Sequence, residues 1–216
     1  MALIYQATLT PGKLDLIGGW LPRQPWSPGG PDSGSAFRQV GAYRFDDPAG
    51  EVGFEAFLVE GNDGVLLHVP MTYRGAPLEG AEEFLIGTTE HSVLGRRWVY
   101  DACGDPVGVT AMIRCALGQQ DQAEEVIEAD GHRQSREPTV RLERSGEPHS
   151  PAFADVNTLT CRNEGPTTVV RAGGKELVVV RAVGAEVAPA DAALTGRWSG
   201  GGPVVLAALR TRPATP

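Results

Sequence analysis

Short runs of alternating apolar and polar residues dominate the chain. AFRQVGAYRF (36–45), EVGFEAFLVEG (51–61) and GVLLHVPMTYR (64–74) carry period-two alternation, and DDPAG and GNDG interrupt them. This predicts three antiparallel strands in chain order, with Asn62-Asp63-Gly64 as a hairpin turn. Before them, a strand is expected over Leu3 to Thr8. Thr10-Pro11 then reads as an N-cap with proline at the first helical position, leading Leu14, Ile17 and Leu21 along one helix face. Residues 22–35 lack a hydrophobic period and are rich in turn formers, which predicts a surface loop.

Asp105-Pro106 predicts a second cap, and Val109, Met112, Ile113, Ala116 and Leu117 follow at helical spacing as a stripe facing the sheet. Residues 119–137 are charged and unpatterned, and read as a solvated helix end passing into a linker. Strands resume at 139–146, 156–163, 167–173, 175–184 and 203–210, with a hairpin turn over Ala172 to Lys175. A helix is expected only around Pro189 to Leu194, and PATP reads as a frayed tail. The fold class is α+β, predominantly antiparallel β. A curved meander sheet with a few packed helices spans residues 1–134, and a second strand-rich subdomain spans 135–216.

Composition sharpens this picture. The chain has 216 residues, 41% of them apolar, and its 28 Gly and 17 Pro supply the turns that many short strands require. A net charge of -8, with basic residues scattered, opposes binding to nucleic acid or anionic lipid. No run of eighteen apolar residues and no signal-peptide pattern occurs, so a soluble, cytoplasmic protein is expected. Cys103, Cys115 and Cys161 are odd in number and share no CxxC spacing, which predicts reduced thiols and no structural zinc. His68, His132 and His149 have no partner at metal-ligand spacing, and no cofactor or metal is expected.

The densest polar stretch is GTTEHSVLGRRWVYDACGDP, residues 87–106. Its candidate ligand or interface residues are His91, Arg97, Trp98, Tyr100 and Asp101. Each also has an ordinary structural reading. Glu90 and His91 are consecutive, so on a strand their side chains point to opposite faces and do not act on one atom together. His91 then serves as a hydrogen-bonded structural residue, Trp98 and Tyr100 as core or interface aromatics on one strand face, and Asp101 as an acceptor in the turn before the helix. The phosphate-binding motifs need a strand, a glycine loop and a helix N-terminus, and no glycine-rich segment has that context.

MALIYQATLTPGKLDLIGGWLP and VPMTYRGAPLEGAEEFLIGTTEHSVLGRRWVYDACGDPV together resemble the N-terminal cap of actinobacterial maltokinases and related aminosugar kinase-like proteins. The resemblance covers about the first half of the chain. It implies a curved antiparallel sheet with helices that rests on the upper lobe of a kinase-like fold, with residues 87–106 forming a scaffold hairpin. The second half is similar, more weakly, to part of such an upper lobe, where a strand hairpin carries the lysine that grips nucleotide phosphates. In TTVVRAGGKELVVVRAV that position falls near Val179 or Arg181, while Lys175 sits in the turn. The 33 residues after Val183 leave no room for a catalytic lobe.

The resemblance thus implies a non-catalytic cap-like protein that docks onto a protein partner of trehalose, maltose or glycogen metabolism, as a monomer or weak homodimer. A module binding a sugar or small molecule is the alternative, with Trp20, Trp26, Trp98 and Trp198 as stacking platforms. A subunit or degenerate paralogue of an aminosugar or maltose kinase is a further reading, and an enzyme of unknown type has the least support.

Overall fold

The computed structural model describes residues 2–4, 8–28, 37–129, 132–145 and 152–211. It begins with β1 (Ala2–Ile4) and β2 (Leu9–Thr10), followed by helix α1 (Lys13–Trp20) and a 3-10 turn over Leu21–Arg23. The strand expected over Leu3 to Thr8 overlaps β1 at Leu3 and Ile4, residues 5–7 lie outside the described residues, and β2 begins beyond it at Leu9. The cap of α1 is Gly12, not Thr10. Gly12 keeps an extended backbone, and Asp15 reaches back to accept its N–H at 3.1 Å. Of the loop expected over 22–35, residues 29–35 lie outside the described residues.

The three alternating runs form β3 (Arg38–Phe45), β4 (Gly53–Glu60) and β5 (Leu66–Arg74), paired as an antiparallel meander. Gly64 takes a φ of 77° in the turn between β4 and β5, a conformation that suits glycine. The polar stretch becomes the hairpin of β6 (Leu85–His91) and β7 (Gly95–Asp101). β7, not β6, pairs with β5, so the sheet order is β2-β6-β7-β5-β4-β3. A 3-10 turn over Ala102–Gly104 leads into helix α2 (Pro106–Ala116), capped by Asp105 as expected.

The segment read as a solvated helix end is instead β8 (Glu125–Ala129) and β9 (His132–Arg136). β8 pairs in parallel with β1 from the far end of the chain, a partner that local periodicity does not reveal. The second large sheet comprises β10 (Val140–Ser145), β11 (Thr160–Glu164), β12 (Thr167–Ala172), β13 (Lys175–Val180), β14 (Ala192–Trp198) and β15 (Gly201–Thr211). Its order is β10-β14-β15-β13-β12-β11. The helix expected around Pro189 to Leu194 is thus the start of a strand. Ala192, Leu194 and Gly196 alternate inward along β14, a period-two pattern that the small residues disguise. The PATP tail lies outside the described residues.

Both faces of the first sheet are buried. Phe57, Val59, Leu67, Val69 and Met71 face α1, with Ile17, Trp20 and Leu21, whereas Tyr43, Phe45, Phe54, Ala56 and Leu58 face the opposite way. On that side α2 lies between β5 and the strands β10, β14 and β15. The helix is therefore buried nearly all round, with eight of its eleven residues inaccessible, and not only along the expected stripe. Burying Val109, Met112 and Ile113 contributes about 1.5–3 kcal/mol each. One core joins these residues to Val170, Leu177, Val179, Leu194, Leu206 and Leu209 of the second sheet.

The second sheet also has an outer apolar patch, Val169, Val178 and Ala208, flanked by Val205 of β15 and packed against by Val187. Arg210 ties the covering segment down by donating to the carbonyls of Ala188 and Pro189.

Candidate functional site

The five residues singled out from the sequence do not converge. His91 and Arg97 lie at the hairpin tip, and Tyr100 and Asp101 lie at the other end of β7. At about 3.3 Å per residue, roughly 20 Å separates Gly95, opposite His91, from Asp101, and about 10 Å separates Arg97 from Tyr100.

The tip is held by local contacts. His91 Nδ1 accepts the N–H groups of Val93 and Leu94 at 3.2 and 3.1 Å, which makes that nitrogen the unprotonated one. Arg97 donates to the Leu94 carbonyl at 2.6 Å, and Ser92 exchanges hydrogen bonds with Thr8. Partial desolvation, then the nearby Arg97 and Lys13 charges, hold the His91 pKa below its ordinary value. The turn presents Val93 and Leu94 to solvent, 57% and 46% exposed. Trp98 is half-buried between Thr88 and Arg74 on the neighbouring strands. Tyr100 is buried, and its hydroxyl accepts the Leu78 N–H at 2.9 Å.

Asp101 opens onto a polar seam between the two large sheets. One carboxylate oxygen accepts the Cys103 N–H at 3.1 Å, as expected for the turn before α2. The other accepts from Arg181 Nη2 at 2.5 Å. Arg181 has no exposed surface; its Nε donates to Thr168 at 2.7 Å, and its guanidinium lies 4.7 Å above the centre of the Trp26 ring. Burial disfavours the charged guanidinium, but Asp101 more than offsets this and raises the Arg181 pKa. The same backbone is stitched to β5, because His68 N–H donates to the Arg181 carbonyl and Val183 N–H to the Leu66 carbonyl, both at 2.8 Å.

His68 completes the seam. Nδ1 lies 3.0 Å from the Val180 carbonyl oxygen, so it must carry the proton, and Nε2 accepts from the Tyr43 hydroxyl at 2.9 Å. Desolvation pushes the His68 pKa down to about 3 and the Tyr43 pKa up. In the sequence His68 stands out only as a histidine without a metal partner, and nothing local marks Tyr43 or Thr168. A legible signal was Arg181 itself, a charge closing the apolar run LVVV and therefore in need of a buried partner.

Two further charged clusters support the scaffold. Asp105, fully buried, receives Arg74 through two bonds of 2.7 Å, Thr72 at 2.6 Å and the Val107 N–H at 2.9 Å, so one carboxylate caps α2 and ties it to β5. Glu55 pairs with Lys13 and Arg44. Burial alone would raise its carboxyl, but the two cations hold it below the ordinary carboxylate range.

Trp20 and Trp26 pack edge to face in the core at 5.6 Å and are not open platforms for a sugar. Trp98 and Trp198 are half-buried. Burial raises the thiol pKa values of Cys103, Cys115 and Cys161, the last two to about 12, which leaves them protonated at neutral pH. Among the described residues no three His, Cys, Asp or Glu side chains gather where they could hold a metal ion, and no helix is long and apolar enough to cross a membrane.

No curated protein matches the chain. Residues 20–105, from the last residue of α1 to the capping Asp105, match the family model of the maltokinase N-terminal cap domain. That span holds β3 to β7, the sheet and hairpin described above, and it is in this part that the chain is similar to the maltokinase N-terminal cap domain.

Proposed function

We propose that the protein is a non-catalytic, cap-like binding module that docks onto a protein partner in carbohydrate metabolism. The observation that carries this reading is the state of Arg181. The β12–β13 hairpin resembles the one that supplies a phosphate-gripping lysine in kinases of this type, and Val179 and Arg181 stand near that position. Val179 is core, and Arg181 is buried and neutralised by Asp101, so neither offers a cation to a nucleotide. Lys175, in contrast, donates to Thr211 at the end of the sheet. The cap itself supports the reading: Asp101, Asp105, Tyr100 and His91 are engaged in capping, turn and seam contacts that fix a scaffold.

The test is phosphoryl transfer from ATP and Mg²⁺ to maltose, glucosamine or glucose by the purified chain. No turnover above the enzyme-free control is expected. Turnover that disappears on substituting a residue of this chain would overturn the reading.

A further inference from the structure

The second sheet ends in an exposed strand. Among the described residues β11 pairs with β12 on one side only, and Thr160, Arg162, Asn163 and Glu164 are exposed. Alternate residues of such an edge direct their N–H and C=O groups away from the sheet, where an added strand would pair. Beside its first residue lies a cleft of about 230 Å³, open to solvent, lined by Thr158, Leu159, Thr160, Arg171 and the Gly173-Gly174 turn. Arg171 lies directly opposite Thr160, and Glu176 fixes its Nε at 3.1 Å. Its terminal nitrogens, and the hydroxyls of Thr158 and Thr160, form no hydrogen bond among the described residues. The cleft therefore holds a cation oriented through one nitrogen, with its remaining donors unspent, next to two hydroxyls.

We propose that β11 and this cleft bind the C-terminal segment of a partner polypeptide as an added strand. The direction of the chains supports this. A strand antiparallel to β11 on its open edge runs the same way as β12, from the Glu164 end towards Thr160, and its last residue enters the cleft. The free carboxylate arrives where Arg171 and the threonine hydroxyls can donate to it, a charge-assisted contact that an internal stretch of chain cannot make. A second copy of β11 would place two arginines opposite each other in the register centred on Arg162 and, being an internal stretch in every register, brings no terminal carboxylate to Arg171, so the occupant is a different chain. This inference rests on the reading of the protein as a binding module. The two fail separately, because phosphoryl transfer would overturn that reading whereas the experiment below tests only the site.

The full chain is panned against a displayed library of random seven-residue peptides with free C-termini, and an enriched peptide is synthesised in three forms: unmodified, C-terminally amidated, and N-methylated at alternate amides. The unmodified peptide is expected to shift the amide resonances of residues 158–164 and 171–174. Amidation, or Arg171→Met in a protein that melts like the parent, should weaken binding at least tenfold, and N-methylation should abolish it. Failure to enrich any peptide, shifts confined to other surfaces, or equal binding of the amidated form overturns the proposal.

Discussion

Lowering the pH from 7.5 to 5.0 should destabilise the fold through His68 alone by about 2 kcal/mol. Its neutral form is locked between the Val180 carbonyl and the Tyr43 hydroxyl, and burial depresses its pKa to about 3 from an ordinary 6.5. The unfolded chain takes up the proton as the pH falls through 6.5, whereas the folded chain does not until near 3. Stability is therefore complete above 6.5 and is lost across the interval below it. Each pH unit in that interval is worth about 1.4 kcal/mol, so the 1.5 units down to pH 5.0 give the figure stated. Glu55, held low by its cations, contributes loss only below the ordinary carboxylate range. His91 shifts in the same direction but is largely solvated, so the comparison is best made in a His91→Gln background. Urea unfolding followed by tryptophan fluorescence at both pH values measures the difference, and His68→Gln should remove most of it. A parent protein with equal stability at both pH values, or a His68→Gln variant that keeps the full loss, would refute the reasoning.

Other outcomes follow from the seam and the core. Asp101→Ala leaves the Arg181 charge buried without its partner and should cost about 3–5 kcal/mol in chemical denaturation; adding Arg181→Met should recover part of this, and additive losses would count against the ion pair. Gly104→Ala places a Cβ 1.9 Å from the Phe84 ring, so overpacking should cost about 1–3 kcal/mol, less in a Phe84→Ala background, as read from melting curves. A chain truncated after Gln134 loses every second-sheet residue of the shared core, and light scattering should show it aggregating while the full chain stays monodisperse.

The first sheet was legible because its turns are strongly marked and β3 alternates. Periodicity could not show that both faces of β4 and β5 are covered. The α2 cap was legible from Asp105-Pro106, since an N-cap is a local contact. The α1 cap, read at Thr10 and made by Gly12, is a local miss, and the larger errors fall where a distant partner decides. β8 is held by β1 more than a hundred residues away, and β14 is a strand of small residues whose identity depends on β10 and β15. The seam shows the same limit. Asp101 could be read as a turn acceptor because Cys103 is two residues on, but its second partner lies 80 residues away. No spacing rule connects them.

The most direct test of the account is titration of the isotopically labelled chain with ATP and Mg²⁺, followed by amide and arginine Nε–H resonances. If Arg181 serves as an internal brace, its Nε–H, bonded to Thr168, and the amides of β12 and β13 should remain unmoved at millimolar nucleotide. Saturable shifts centred on residues 167–183 would place a nucleotide on this hairpin and contradict the reading of the chain as a non-catalytic cap-like module.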